Sequence, residues 1–128
     1  MASAVATLID LKNRNSDVLI AGTDAAAMAS TDTGYVSGDY AVEVTPNKND
    51  TRTMFLITNS DDTNAITVNI LAGDSPIFGS GANLAISVAA GTTKAIAVDS
   101  ARYEQMSSGK YVFYSTASTF NVTPILLP

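Results

Sequence analysis

The sequence predicts an all-β chain folded as a single antiparallel β-sandwich of about eight strands with an extended N-terminal arm. Three observations carry this. Thr, Val, Ile, Ala, Ser, Asn and Gly dominate, while the helix formers Glu, Lys, Gln and Arg are sparse. Short apolar runs recur, each bounded by turn residues. Their spacing of roughly 8–12 residues suits a two-sheet sandwich, jelly-roll or immunoglobulin-like.

Residues 7–11 give the first candidate strand. In 40–45, Tyr40, Val42 and Val44 face one way and Ala41, Glu43 and Thr45 the other. Residues 51–59 hold the unbroken run Met54-Phe55-Leu56-Ile57, which predicts a strand covered on both faces. Residues 65–72 alternate, with Ile66, Val68 and Ile70 inward and Thr67 and Asn69 outward. Residues 83–88 place Leu84, Ile86 and Val88 together, and 93–98 do the same for Ile96 and Val98. Residues 110–115 contain Tyr111-Val112-Phe113-Tyr114, and 120–127 close the chain. Pro124 lacks a backbone N–H, so it predicts an edge position or a bulge in that last strand. Pro46-Asn47, Ser60-Asp61-Asp62, Gly73-Asp74-Ser75-Pro76, Ala90-Gly91 and Ser108-Gly109 supply the turns.

The N-terminal third differs. Residues 13–38 are mostly small and polar, although Val18-Leu19-Ile20 can form a short strand and residues 25–29 one or two helical turns. An irregular stretch longer than about 12–15 residues is usually functional or disordered. The expected division is an arm or long loop region over 1–38 and the β-sandwich domain over 39–128.

Composition narrows the function. The 128 residues suit one domain with a sizeable core. There is no Cys and no His, which removes the usual nucleophile, general base and metal ligands. A non-enzyme without cofactor is the expectation. Seven basic against twelve acidic residues give a net charge of −5. The bases are scattered, only Lys12 and Arg14 lying close together, so no nucleic-acid partner is expected. Residues 1–11 lack the basic start of a signal peptide, and no run approaches the roughly 20 apolar residues of a membrane span. No membrane partner is expected.

Several constellations bear on chemistry. Asn59, Asp61, Asp62 and Asn64 form the densest oxygen cluster, but they lack the glycine and distal Glu of a calcium loop, and they are ordinary turn residues. Gly79-Ser80-Gly81 has no following Lys or helix to hold a phosphate. Glu43 and Glu104, the two glutamates, have no spacing that sets them across one glycosidic bond, and are expected as solvated charges. Tyr103, Tyr111 and Tyr114 with Phe113 suggest a carbohydrate platform, or one core pair and one interface pair. Arg102 can fork onto a carboxylate or backbone carbonyls, either to tie its connection to the sandwich or to bind another subunit.

Ala90-Gly91-Thr92-Thr93-Lys94, then Val98-Asp99-Ser100-Ala101-Arg102-Tyr103, then Gly109-Lys110-Tyr111-Val112 resemble a pattern in small structural proteins of tailed phages. There a Gly-Thr-Thr turn opens a strand, a Ser-Ala-Arg-aromatic step follows, and a glycine turn leads into the next strand. The family is that of capsid decoration, or auxiliary head, proteins, and the resemblance covers roughly residues 52–123. It implies a β-sandwich without an active site, assembled in the host cytoplasm onto the outer surface of the virion. Its partners would be the major capsid protein and sister copies in a homo-oligomer such as a trimer. The expected contact residues are Lys12, Arg14, Val18, Leu19, Ile20, Met28 and Tyr35 in the arm, with Arg102 and Tyr103 on the sandwich. The alternative is a carbohydrate- or receptor-binding module of a tail fibre or cell-surface protein. That reading asks for an exposed aromatic pair, or calcium at Asp61-Asp62.

Overall fold

The structure is a computed structural model and describes residues 4–6, 9–10, 22–27, 39–45, 53–73, 83–98, 100–105 and 109–126. The strands are β1 (Ala4–Ala6), β2 (Ile9–Asp10), β3 (Thr23–Asp24), β4 (Ala26–Ala27), β5 (Tyr40–Val44), β6 (Thr53–Asn59), β7 (Ile66–Ile70), β8 (Leu84–Val88), β9 (Thr93–Ile96), β10 (Tyr111–Ser115) and β11 (Phe120–Leu126). One helical turn, α1 (Ser100–Tyr103), precedes β10.

The strands form two packed sheets, so the chain is a β-sandwich. One sheet runs β1-β5-β10-β7-β8, with β4 also on β5. The other runs β2-β11-β6-β9, with β3 also on β11. All pairings among β5 to β11 are antiparallel, while β1 on β5 and β2 on β11 are parallel. If β5 to β11 are counted as strands A to G, B pairs with E and C with F, as in an immunoglobulin domain. The first, fourth and last strands lie in the opposite sheets: β11 flanks β6, β5 flanks β10, and β8 pairs with β7 rather than β9.

Alternation builds the core. Val42 and Val44 of β5, Val68 and Ile70 of β7, Val88 of β8 and Tyr111 and Phe113 of β10 face Phe55, Ile57, Phe120 and Val122 of the other sheet. Phe55 is the centre, its ring 5.2 Å from Tyr111 and 5.0 Å from Phe113 in tilted, edge-on arrangements. In β6, Phe55, Ile57 and Asn59 are buried and Met54, Leu56 and Thr58 half-buried. The unbroken apolar run thus marks one face in the core and one partly covered. Outward on β5 and β10, Ala41 and Val112 form a second buried cluster with Leu71 and Tyr114.

Of residues 25–29, the described ones, 25–27, are not helical: Ala26 and Ala27 are extended and pair with Ala41 and Tyr40. The N–H of Ala25 donates to the carbonyl of Phe120 at 3.0 Å. A helix this short is too costly to nucleate, and the exposed edge of β5 offers ladder bonds instead. Where residues 1–38 are described, they form sheet edges; β1 and β4 lie on β5, β2 and β3 on β11, and Ala6 is buried. The stretch Val18-Leu19-Ile20 lies outside the described residues.

Pro124 is not on a strand with a bare edge. The ladder of β11 with β6 is continuous from Phe120↔Asn59 to Leu126↔Thr53. The other side of β11 pairs Asn121 and Val122 with β3 and Ile125 and Leu126 with β2. Pro124 falls in the break between them. A continuous antiparallel ladder tolerates a residue without N–H only where its nitrogen points away from the partner. Pro124 therefore turns its missing donor toward the place where the neighbour changes.

Gly73 joins β7 to the α1 region. Its N–H donates to the Arg102 carbonyl at 2.6 Å. A Cβ there would stand 2.7 Å from the Glu104 carbonyl oxygen and 2.9 Å from that of Arg102, both backbone atoms that cannot swing aside. Gly73→Ala is expected to cost about 1–3 kcal/mol by overpacking. Urea unfolding checks this, and an unchanged midpoint would contradict the close approach.

Candidate interaction surface

Three connections meet at one end of the sandwich: residues 60–65, 89–92 and 116–119. They are held by Asn59, the last residue of β6, which has no exposed surface. Its Nδ2 donates to the Asn64 carbonyl at 2.8 Å and the Val88 carbonyl at 3.3 Å. Its Oδ1 accepts from the Asp61 N–H at 3.0 Å and the Thr119 hydroxyl at 3.4 Å. The two donors and two acceptor sites of the amide are thus all used. Backbone bonds knit the same loops: Asn59 N–H to Thr92 O at 3.0 Å, Ser60 N–H to Thr119 O at 2.7 Å, and Gly91 N–H to Asp61 O at 2.8 Å.

The oxygen cluster of the sequence is therefore split. Asn59 points into the core, and Asp61 caps its own loop. Asp61 Oδ1 accepts from Thr63 N–H at 2.9 Å, Thr63 Oγ1 at 2.8 Å and Asn64 N–H at 3.2 Å, while Oδ2 accepts from Asn64 Nδ2 at 3.2 Å. Intramolecular donors thus reach both oxygens of the carboxylate. Among the described residues no group of three or more Asp or Glu is placed to hold a metal ion. The exposed tip is short and mostly polar: Asp62, Thr63, Asn64, Thr92, Thr116 and Ser118, with Ala65 and Ala89 exposed beside them.

The aromatic platform does not form among the described residues. Tyr111 and Phe113 are buried in the core, and Tyr40 and Tyr103 pack against it half-buried. Tyr114 is also half-buried, and its hydroxyl accepts from Asn83 Nδ2 at 2.6 Å. Glu43 corrects the solvated-charge expectation. It faces outward from β5, yet its side chain is only 12% exposed and pairs with Lys110 at 3.2 Å. Glu104 is half-buried beside the Gly73 contact.

Of the residues expected at an interface, Lys12, Arg14, Val18, Leu19, Ile20, Met28 and Tyr35 lie outside the described residues, as does Gly79-Ser80-Gly81. Arg102 and Tyr103 sit together on α1. Arg102 is exposed, and its carbonyl anchors Gly73, whereas the Tyr103 ring is packed on the core. Beside them, Gln105 is buried and donates from Nε2 to the Ala72 carbonyl at 2.7 Å. Sequence reasoning missed Asn59 and Gln105 as ties. Their signal was faint: Asn59 continues the inward parity of Phe55 and Ile57, so it had to be a buried amide.

Comparison with known proteins finds no matching family model, no matching curated protein and no matching solved structure.

Two outcomes are expected. Asn59→Ala strips four buried or half-buried groups of a partner and should cost about 2–4 kcal/mol in denaturant unfolding; a loss below about 0.5 kcal/mol would contradict its role. Hydrogen bonds from Thr63 and Asn64 lower the Asp61 pKa from 3.8 to about 2. A depressed carboxyl pKa contributes stability that is complete above the unfolded value and lost as pH falls through the folded one. Stability should fall between about pH 4 and about pH 2, and Asp61→Asn should flatten that part of the profile.

Proposed function

We propose that the chain is a virion structural protein, a capsid decoration or cement protein that binds the assembled phage head and bridges neighbouring capsid subunits. One observation supports this reading above the others: the sequence words that resemble those of auxiliary head proteins fall, where described, on connections that the sandwich uses. Ala90-Gly91-Thr92 forms the turn into β9, with Gly91 at φ 64°. Ser100–Tyr103 is α1, whose Arg102 carbonyl holds Gly73. Gly109, at φ 68°, turns the chain into β10. Only glycine adopts such positive φ values without strain, so backbone geometry fixes the glycine in two of these words.

The mechanism is bridging by surface contact. A rigid two-sheet body with knitted loops carries Arg102 and the N-terminal segment to the major capsid protein and to sister copies in a homo-oligomer. The net charge of −5 favours a capsid face with basic character and disfavours nucleic acid. The work asked of the protein is added contact area across a subunit boundary, and no bond is made or broken.

Co-sedimentation with purified heads that lack the protein tests the reading. Saturable binding, with heads that then survive a higher temperature before rupture, is the expected outcome. A protein that stays in the supernatant at every concentration overturns it.

A further inference from the structure

The sandwich has four sheet borders, and three of them carry the devices by which proteins block stray strand pairing. On β5 and β11 the outer neighbours are cut into strands of two or three residues. Very short edge strands offer little template. The border β9 carries the exposed charge of Lys94. The fourth border, β8, has none of these. It spans five residues, Leu84-Ala85-Ile86-Ser87-Val88, without charge, proline or glycine. Its ladder with β7 is unbroken from Ile66↔Val88 to Ile70↔Leu84, so no bulge turns the edge away. Among the described residues β7 is its one strand partner. Asn59 Nδ2 takes the Val88 carbonyl, which among the described residues leaves 83–87 as the open stretch.

We propose that this edge pairs with β8 of a second copy of the chain, antiparallel, about a two-fold axis through Ala85. The register follows from chemistry. With Ala85 opposite its own copy, Leu84 stands opposite Ile86 and Asn83 opposite Ser87. Apolar faces apolar, polar faces polar, and the axis holds the smallest side chain. Ala85 and Ser87 are exposed and Leu84 and Ile86 half-buried, so the inward pair closes over apolar surface while the outward side stays flat. An isologous contact of this kind needs a strand compatible with itself, and a chain of net charge −5 meets that need where it carries no carboxylate. The border β9 would instead set Lys94 near Lys94. The paired edge joins two sheets into one and buries less than the roughly 800 Å² per partner of a standard interface. The dimer is therefore weak alone and favoured where copies are crowded.

The inference stands apart from the capsid reading, because it concerns the free protein. Sedimentation equilibrium over a wide concentration range tests it. Wild-type chains should dimerise reversibly. Ala85→Lys sets lysine against lysine on the axis and should weaken the dimer at least tenfold, with the melting temperature of the dilute protein unchanged because Ala85 is exposed. Ser87→Lys should weaken it less. In a chain without cysteine, Ala85→Cys should oxidise to a covalent dimer faster than the exposed-site control Thr92→Cys. A wild-type monomer at all concentrations, an oligomer indifferent to Ala85→Lys, or equal oxidation of the two cysteine variants would each overturn the proposal.

Discussion

The side-chain amide of Asn59 is the constraint on which the rest of the arrangement turns. It sits where β6 ends, fully enclosed, and reaches both sheets through three loops. An amide in that place is costly unless every donor and acceptor is used. Its satisfaction therefore fixes the positions of Asp61, Asn64, Val88 and Thr119 together. Any slip of β8 against β6, or of the 116–119 connection, would strand a polar atom in the core. The apolar layer around Phe55 supplies the driving force for collapse, and the amide selects one arrangement of the loops over its neighbours.

Sealing the sandwich borders is the second constraint. β5 and β11, the first and last of the long strands, lie at the same side of the two sheets. Their borders are closed by short pieces shared between the sheets: β1 and β4, which are mostly alanine, on one, and β2 and β3 on the other. Ala6 is buried in the core and Ala25 packs against it half-buried. The opposite side has no such cover among the described residues, and its two borders differ, Lys94 protecting β9 while β8 stays neutral.

The long strands were legible in the sequence because a two-residue period over five or more positions is hard to produce otherwise. Residues 40–45, 65–72, 83–88 and 110–115 each contain the observed strand; in 65–72 the inward set Ile66, Val68 and Ile70 is as expected, and in the other three the alternation separated the two faces without saying which is the core. Of the N-terminal strands, only β2 was legible, inside the candidate strand 7–11; β1, β3 and β4 were not. Pieces of two or three residues have no period, and alanine carries no β signal. Residues 25–29 even suggested a helix until the edge of β5 supplied partners. The loop end was less legible still. Asn59 and Asp61 looked alike as turn oxygens, yet one is a core tie and the other a loop cap, a difference set by strand parity. Tyr103, expected as a contact residue, lies half-buried with its ring against the core.

Native-state hydrogen exchange at the loop end measures the central coupling directly. The amides of Ser60, Asp61 and Gly91, bonded to Thr119 O, Asn59 Oδ1 and Asp61 O, lie outside any strand. They should exchange only through the same global opening as the amides of β6 and β11, with matching free energies and matching denaturant dependence. Fast local exchange of these three amides beneath protected strands would contradict the role given to Asn59.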